Sequence, residues 1–353
     1  MQASVFSFSL RGAKLSKKVS KELEIWGYSV INLTSGKYAH ASGLKPMVPD
    51  HKAACAAAFS NSQIIVFIGA AGIAVRTIAP FICSKSTDPA VLVIDEKGNY
   101  VIPILSGHIG GANQAARMLA LVLNAKACIT TATDVNGLFA VDEWAARNNM
   151  EISSLKDAKE FAAALVAGKE VGFFADANFS VVGTLPKQVV KSGDHVVGMA
   201  VTLNSSLRPF PVTVRLLPRI VHLGIGCRRN TTLEAIEGLV LSELDKLHLD
   251  LRCVAGIASV DLKKDESGLL AFAAKYKLKT TFYTATELNA VVGDFSTSAF
   301  VQKVVGVSNV CERSAVLASG EGDLLLRKTA QNGVTLAVAA EKLVLKFTDA
   351  VLK

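Results

Sequence analysis

Residues 219–232 read RIVHLGIGCRRNTT, an apolar run that ends in two glycines, a cysteine and two adjacent arginines. The apolar run predicts a buried strand, and the segment that follows, TTLEAIEGLVLSELDKLHL, carries apolar residues at helical spacing. Thr231 and Glu234 fit a capping box that begins this helix. A strand, a glycine turn and a helix in this order are typical of an α/β domain.

The same order recurs in the first part of the chain. Apolar runs VFSFSL, IIVFIG, VLVID, YVIPIL and ACITTAT alternate with helical patterns such as AGIAVRTIAPFI and ANQAARMLALVLNA. Short β-branched runs separated by helices indicate a largely parallel, doubly wound sheet. The predicted fold class is α/β, with three-layer α/β/α N-terminal (1–145) and C-terminal (219–353) domains joined by a smaller α+β middle region (146–218). The proline-rich stretch SLRPFPVTVRLLPR is predicted to be the linker before the last domain.

Composition restricts the class of function. The longest apolar run, IIVFIGAAGIAV, stops at Arg76 and is too short to cross a bilayer, and the N-terminal segment lacks the order of a secretory signal. These features predict a cytoplasmic protein without a membrane partner. The net charge is +8, but no basic block interleaves with aromatic residues, which argues against nucleic acid and favours a polyanionic small molecule. The six cysteines form no C-x-x-C pair, so neither a metal site nor a disulfide framework is predicted.

The turn GIGCRRNTT is predicted to bind an anion through Gly224, Gly226, Cys227, Arg228 and Arg229. It is not a dinucleotide fingerprint, because Arg229 stands where the third glycine belongs, and it lacks the G-K-[ST] of a P-loop. Glycines let the backbone approach a ligand, the helix start offers free N–H groups, and arginines add forked donors. The alternative is a tight turn with solvated arginines. Cys227 is a candidate nucleophile with a lowered pKa, and an inert packed thiol is the simpler alternative.

A further glycine loop, SGHIGGANQAAR (106–117), places His108 between a predicted strand and a predicted helix. Histidine is suited to proton transfer near neutral pH, and a hydrogen bond that braces the loop is the alternative. Two more junctions, FIGAAGIAVRTIAP and TTATDVNG, have the same order. The substrate-binding residues predicted at these three junctions are Gly69, Gly72, Arg76, Ser106, Gly107, Gly110, Gly111, Asn113, Thr131 and Asp134. All four junctions are expected beyond the carboxyl ends of strands, where doubly wound sheets bind ligands.

Glu312 is another candidate for proton transfer. It lies in SNVCERSAVLASG, at the start of a predicted helix. Stabilisation of the helix dipole by its carboxylate is the alternative explanation.

Together these stretches resemble the CbiG family of the anaerobic cobalamin pathway, the cobalt-precorrin-5A hydrolases. FIGAAGIAVRTIAP with SGHIGGANQAARMLA resembles the N-terminal region of the family, and section 146–218 resembles its middle region. GIGCRRNTT, SVDLKKDESGLLAFA, FYTATELNAV and VCERSAVLASG resemble its C-terminal region, which is similar to the CobE-like proteins of the aerobic pathway. One departure is Asn230, where glycine is usual; asparagine tolerates the left-handed conformation that such a turn needs.

The resemblance implies that the protein opens a δ-lactone on cobalt-precorrin-5A and releases acetaldehyde to give cobalt-precorrin-5B. It implies a general base, with His108 as the first candidate and Glu312 as the next. Arg76, Arg228 and Arg229 would hold peripheral carboxylates of the corrinoid. Cobalt belongs to the substrate, so no cofactor is expected, and neighbouring enzymes of the pathway are possible partners.

Two other classes of function stay open at this point. The first is a non-catalytic carrier that binds a tetrapyrrole without opening the lactone. The other is an enzyme that acts on a phosphorylated sugar or nucleotide, against which the missing phosphate fingerprints count.

Overall fold

The chain divides into two compact units in the structure, which is a computed structural model. The units are Met1–Glu143 and Trp144–Lys353. The residues described are 1–84, 87–191, 193–298, 302–303 and 305–347. The second unit contains both the middle sheet and the C-terminal sheet, and the predicted boundaries at 145/146 and 218/219 stay predictions.

The first unit is built on a seven-stranded sheet of order β3-β2-β1-β4-β5-β6-β7. Its strands are β1 (Gln2–Ser7), β2 (Ser29–Thr34), β3 (Lys45–Pro46), β4 (Ile64–Ile68), β5 (Ala90–Ile94), β6 (Tyr100–Leu105) and β7 (Lys126–Ala127). Strands β1 to β5 run parallel to one another. Strand β6 runs antiparallel to β5, and β7 runs parallel to β6.

Helices cover both faces of this sheet. The helices that do so are α1 (Leu10–Ile25), α2 (Gly36–Ser42), α3 (His51–Asn61), α4 (Ala71–Ile78) and α5 (Ala112–Leu123). Two short helices follow along the chain, α6 (Ala132–Val135) and α7 (Val141–Arg147), the last of which crosses the boundary of the unit. On one face, apolar residues of α1 and α5 pack on Val5 and Val66. On the other face, residues of α3 and α4 pack on Phe6 and Phe67. The alternation of side chains along each strand therefore produces two cores, and the three-layer α/β/α prediction is confirmed here.

The direction of β6 places two of the predicted junctions apart. The end of β4 and the end of β6 lie at opposite edges of the sheet, because the two strands run in opposite directions. The junction after β6 therefore lies beyond the carboxyl end of its own strand, as predicted, but at the opposite edge of the sheet from the junction after β4, because β6 is antiparallel to β5. Gly69, Gly72 and Arg76 follow β4, whereas the loop with His108 follows β6, near the amino end of β5.

The middle part of the second unit is a five-stranded sheet of order β11-β9-β12-β13-β8, on which α8 packs. Its elements are β8 (Met150–Ile152), α8 (Leu155–Val166), β9 (Val171–Ala175), β11 (Val189–Val190), β12 (Val197–Val201) and β13 (Val212–Pro218). A separate pair joins β10 (Ser180–Gly183) to β19 (Val344–Phe347) in parallel. Trp144 stacks on Phe347 at a centroid distance of 4.7 Å, and Phe173 meets the same ring edge-on.

The C-terminal part is another five-stranded sheet, of order β16-β15-β14-β18-β17. Its strands are β14 (Val221–Cys227), β15 (Val254–Val260), β16 (Lys279–Tyr283), β17 (Asp323–Gln331) and β18 (Val334–Ala340). Its helices are α9 (Leu233–Lys246), α10 (Ser267–Tyr276), α11 (Ala285–Ala290) and α12 (Cys311–Ala318). Strands β14, β15 and β16 are parallel, and β18 runs antiparallel to β14 and β17.

Three local predictions differ from the structure. The predicted linker SLRPFPVTVRLLPR contains β13, whose residues from Thr213 onward are buried. The predicted strand ACITTAT (127–133) shares only Ala127 with β7. Thr232, not Thr231, is the N-cap of α9 and accepts a hydrogen bond from the N–H of Ala235, so the helix begins one residue later than predicted. In the described part of the chain, none of the helices is long and apolar enough to cross a membrane.

Candidate active site

A tight loop between β6 and α5 presents His108. Ser106 takes a φ of 55° and its Oγ donates to the carbonyl of Asp88 at 2.9 Å. A Cβ at Gly110 would lie 2.4 Å from the Cβ of Ser106, so only glycine fits there. Gly111 has a φ of 82° and is the N-cap of α5. The glycines are therefore required by the shape of the loop, which turns back on itself and leaves His108 at its tip.

His108 lies between two carboxylates. Its Nε2 is 2.7 Å from Oδ2 of Asp134, and its Nδ1 is 3.3 Å from Oδ2 of Asp142. Oγ1 of Thr133 lies 3.2 Å from the same Nε2. The imidazole is 13% exposed, so it is largely but not completely withdrawn from solvent.

Helix α5 holds Asp134 in place. Nδ2 of Asn113 donates to Oδ2 of Asp134 at 3.0 Å and to Oγ1 of Thr131 at 3.0 Å. A terminal nitrogen of Arg117 donates to Oδ1 of Asp134. Asn113 and Arg117 are four residues apart and share one helix face. The predicted residues His108, Asn113, Thr131 and Asp134 are thus brought together in one cluster.

These contacts keep His108 protonated. The hydrogen bond with Asp134, followed by the one with Asp142, raises the pKa of His108 to about 10, against the opposing effect of burial. Burial alone would raise the pKa of Asp134, but hydrogen bonds from His108 and Arg117 outweigh it and the pKa is lowered. The pKa of Asp142 is likewise lowered, because the hydrogen bond from His108 outweighs burial. At neutral pH the cluster therefore holds an imidazolium between two carboxylates.

This protonation state changes the chemistry that His108 can perform. A general base needs a free lone pair near the operating pH, and both ring nitrogens of His108 carry protons. The arrangement instead supplies a proton donor and a fixed positive charge. The geometry therefore supports His108 as a general acid and argues against its predicted role as the resting base.

The same cluster contains a possible set of metal ligands. His108, Asp134 and Glu143 each offer one ligand atom, and these atoms lie within 4.8 Å of one another. Two of them are already hydrogen-bonded to each other, and Arg117 donates to Asp134. A cation would have to displace these protons, so the donor set as it stands is that of a hydrogen-bonded charge cluster.

The junction after β4 lies apart from this cluster. Gly69 has a φ of 153° and its N–H donates to the carbonyl of Ile94. A Cβ at Gly72 would lie 3.2 Å from a terminal nitrogen of Arg76, which donates to the carbonyl of Gly72 at 3.3 Å. Gly72 therefore makes room for the guanidinium of Arg76 over the first turn of α4.

The two glycines of GIGCRRNTT lie where a side chain would clash with neighbouring elements. A Cβ at Gly224 would lie 1.8 Å from the carbonyl oxygen of Cys311, at the start of α12. A Cβ at Gly226 would lie 2.5 Å from Oγ1 of Thr335 on β18. Neither glycine has a positive φ. Close packing of a helix and of a neighbouring strand therefore explains these two glycines, and contact of either with a ligand stays a prediction.

The rest of this turn is braced by its surroundings. Arg229 pairs with Asp265 at 3.3 Å and with Glu266 at 3.5 Å, whereas the side chain of Arg228 is exposed and lies along Gly333. Asn230 has a φ of 60°, which confirms that asparagine supports the left-handed turn.

The thiol in this turn is poorly suited to nucleophilic attack. Burial is the largest effect on Cys227 and raises its pKa, which opposes the predicted activation of the thiol. The geometry thus supports the simpler alternative, an inert packed cysteine.

Glu312 is a fully buried carboxylate with three donors. It accepts hydrogen bonds from the N–H of Ser296 at 2.7 Å, from Oγ of Ser296 at 2.8 Å and from the N–H of Lys328 at 2.7 Å. These bonds tie the segment before α12 to β17. The geometry is that of a structural carboxylate, and it argues against the predicted proton transfer.

Sequence reasoning missed several members of the His108 cluster: Arg117, Thr133, Asp142 and Glu143. Arg117 could have been found, because it lies four residues after Asn113 on the same helix. The position of Asp142 depends on the path of the chain between α6 and α7, for which the sequence carries no periodic signal.

Comparison with known proteins gives one consistent result. Three family models match: "Cobalamin synthesis G N-terminal" over residues 53–134, "Cobalamin biosynthesis central region" over 139–218 and "Cobalamin synthesis G C-terminus" over 221–339. The cobalt-precorrin-5A hydrolase of Salmonella typhimurium is 38% identical over 291 residues, which are 80% of this chain and 83% of the relative. That of Priestia megaterium is 31% identical over 80% of this chain and 79% of the relative. Protein CobE of Sinorhizobium sp is 31% identical over 33% of this chain and 77% of its own length.

Proposed function

This chain belongs to the CbiG family of cobalamin synthesis, and from that membership and the geometry around His108 we infer that it hydrolyses cobalt-precorrin-5A. The reaction opens the δ-lactone of the corrinoid and releases acetaldehyde, giving cobalt-precorrin-5B. The observation that carries the chemical part of this proposal is the position of the His108 ring, with its two nitrogens 2.7 Å and 3.3 Å from carboxylate oxygens of Asp134 and Asp142.

The first step adds water to the lactone carbonyl. Collapse of the tetrahedral intermediate breaks the C–O bond of the ring and leaves a carboxylic acid and an alkoxide. The Nε2 or Nδ1 proton of His108 passes to that alkoxide, which becomes a hydroxyl. Asp142 makes the longer hydrogen bond to the ring, 3.3 Å, and we assign it to accept the proton of the attacking water.

The next step removes the two-carbon unit. The freed hydroxyl loses its proton, the bond between its carbon and the corrinoid breaks, and acetaldehyde leaves while the corrinoid carbon takes up a proton. His108 is neutral after the first step and can accept the hydroxyl proton. That proton makes His108 an imidazolium again, and the proton that Asp142 took from the water passes to the corrinoid carbon, so that one histidine serves as acid and then as base.

Binding of the corrinoid is proposed to use positive charge and backbone N–H groups. Arg228 is the first candidate in the second unit, because its guanidinium makes no ion pair in the described part of the chain. Arg229 is partly neutralised by Asp265 and Glu266, so we expect it to contribute less. In the first unit, the loop around Ser106 and Gly107 offers N–H groups that could stabilise an oxyanion.

The test is an anaerobic incubation of the purified protein with cobalt-precorrin-5A, in which acetaldehyde and the mass of the corrinoid are followed. We expect acetaldehyde in equal amount to the lactone-opened, two-carbon-shortened product. Tight binding of the corrinoid with its lactone intact would contradict hydrolysis and favour a carrier.

No resident cofactor is proposed, since cobalt enters with the substrate. Protein dialysed against EDTA is expected to keep its turnover. Loss of turnover on dialysis, with recovery on adding a divalent cation, would contradict this and would assign His108, Asp134 and Glu143 as metal ligands. The cytoplasm is the proposed compartment, and cell fractionation tests it.

A further inference from the structure

The first unit has a pocket at the edge of its sheet opposite to His108. In the order β3-β2-β1-β4-β5, the chain adds β2 and β3 on one side of β1, and then adds β4 and β5 on its other side. The order in which strands are added therefore switches between β1 and β4, although the strands themselves are parallel. In doubly wound sheets the carboxyl ends of the two strands at such a switch form a crevice that binds ligands. A cavity of about 360 Å³ lies at this place. Its lining residues are Phe8, His51, Lys52, Ile73, Arg76 and Thr77.

The floor of this pocket is apolar and fixed. The ring of Phe8 is nearly parallel to that of Phe67, with a centroid distance of 6.4 Å, and His51 meets it edge-on at 6.1 Å. Thr77 is buried and its hydroxyl donates to the carbonyl of Ile73 at 2.7 Å, so it offers no free donor. An apolar or aromatic ligand surface can therefore rest on Phe8 and Ile73.

The rim of the pocket carries uncompensated positive charge. Lys52 and Arg76 are exposed, and neither forms an ion pair with any residue that the structure describes. The nearest acid in sequence, Asp50, is engaged as the N-cap of α3 by the N–H groups of Lys52 and Ala53. Two cations above an apolar floor match a ligand with a flat apolar body and a carboxylate at its edge.

We propose that this pocket is an additional binding site, which seats one carboxylate-bearing rim of a tetrapyrrole-type macrocycle. The assignment of the macrocycle rests on the proposed function; the preference for a flat carboxylate rests on the pocket itself. The carboxylate lies between Lys52 and Arg76, and the edge of the ring lies on Phe8. Because β4 and β6 end at opposite edges of the sheet, this site is separate from the His108 cluster.

The experiment uses uroporphyrin, an octacarboxylate macrocycle, as the probe and measures its binding to the full chain by fluorescence titration. Lys52→Ala with Arg76→Ala is expected to weaken binding at least tenfold and to reduce its salt dependence. Lys17→Ala with Lys21→Ala is the matched control, because it removes two exposed charges from α1 of the same unit. The control is expected to bind within twofold of the parent.

Two results would overturn the site. One is an affinity of the Lys52 and Arg76 variant that matches the control. The other is inorganic phosphate that competes as well as uroporphyrin, which would leave the apolar floor without a role.

Turnover of cobalt-precorrin-5A is followed in parallel to separate the two proposals. If turnover is normal and the substitution of Lys52 and Arg76 leaves the affinity for uroporphyrin unchanged, the pocket assignment fails and the proposed function stands. If binding depends on these residues but no turnover occurs, the reaction fails and the carboxylate site stands.

Discussion

The loop SGHIGG in the first unit and the turn GIGCRRNTT in the second unit have similar sequence patterns, but glycine is required in them for different structural reasons. In the loop, a Cβ at Gly110 would meet Ser106 of the same loop, so the glycine shapes the segment that carries His108. In the turn, a Cβ at Gly224 would meet α12, so the glycine lets another element pack closely. A strand-glycine-helix pattern thus indicates that another group lies close to the glycine backbone. Only the structure shows whether that group is the same loop, another element or a ligand.

The largest difference between the two regions is expected in the loss of turnover when His108 is substituted. His108→Asn removes the proton donor and should lower turnover of cobalt-precorrin-5A by about 100-fold or more. His222→Asn is the matched control, because His222 also pairs with a carboxylate, Glu341, at 2.7 Å, in the second unit. Steady-state release of acetaldehyde measures both. Equal losses in the two variants would remove the catalytic distinction between the units.

The pH dependence tests the state of His108. Because its pKa is raised to about 10, activity that needs the imidazolium should be level through neutral pH and should fall about tenfold per pH unit above 10. A histidine acting as a resting base at its usual pKa would instead give a rise between about pH 5.5 and 7.5. A profile of kcat against pH decides between them.

The free energy of unfolding should also depend on pH through His108 and its two aspartates. The pKa of His108 is higher in the folded chain than in the unfolded chain, so its contribution is complete below about pH 6.5 and is lost as the pH rises towards 10. The pKa values of Asp134 and Asp142 are lowered, so their contributions are present above about pH 4 and are lost on acidification. Urea midpoints across this range should decline on the alkaline side less steeply for His108→Asn than for the parent.

A packing effect of intermediate size is expected in the second unit. Gly224→Ala places a methyl group against the backbone of α12 and should destabilise the protein by about 2 kcal/mol or more. Gly238→Ala is the control: it lies within α9, has no neighbour within 4 Å of its added Cβ, and should stabilise by about 0.5–1 kcal/mol. Urea denaturation measures both. An unchanged midpoint for Gly224→Ala would contradict this packing role and favour the hypothesis that the glycine makes room for a ligand.

The smallest effects are expected in the polar part of the turn. Arg228→Ala should raise KM for the corrinoid a few-fold, and Arg229→Ala should raise it less, because Arg229 already pairs with Asp265. If Arg229→Ala has the larger effect on KM, the order of the two arginines is reversed.

Cys227→Ser should leave kcat within twofold, since burial raises the pKa of its thiol. A hundredfold loss of kcat would instead make it a nucleophile.

Much of the fold could be predicted from the sequence, because buried parallel strands are continuous apolar runs and their helices carry apolar stripes. The direction of β6 was missed although its signal is local. Only five residues, Asp95 to Asn99, separate β5 from β6. A parallel crossover needs a dozen or more residues, so this connection permits only a hairpin.

The site was predicted in part. His108, Asn113 and Asp134 were found because each follows or begins an element that the sequence marks clearly. Asp142 was not found, since its place beside His108 is set by the tertiary path of the chain. The protonation of His108 depends on both aspartates, and therefore the sequence suggested a base where the structure supports an acid.

The pairing of β10 with β19 has a consequence for the order in which the protein acquires its structure during synthesis. Strand β19 supplies Phe347, on which Trp144 stacks and which Phe173 meets edge-on. A nascent chain can complete the sheet of the first unit while the rest is still being translated, because all seven strands lie before residue 128. The pair of β10 and β19 must wait for a strand that leaves the ribosome more than a hundred residues after β10, and until then the ring of Trp144 has no stacking partner in β19. Protection of that tryptophan from solvent would therefore report the completion of the chain, and the first unit would gain its cooperative structure earlier.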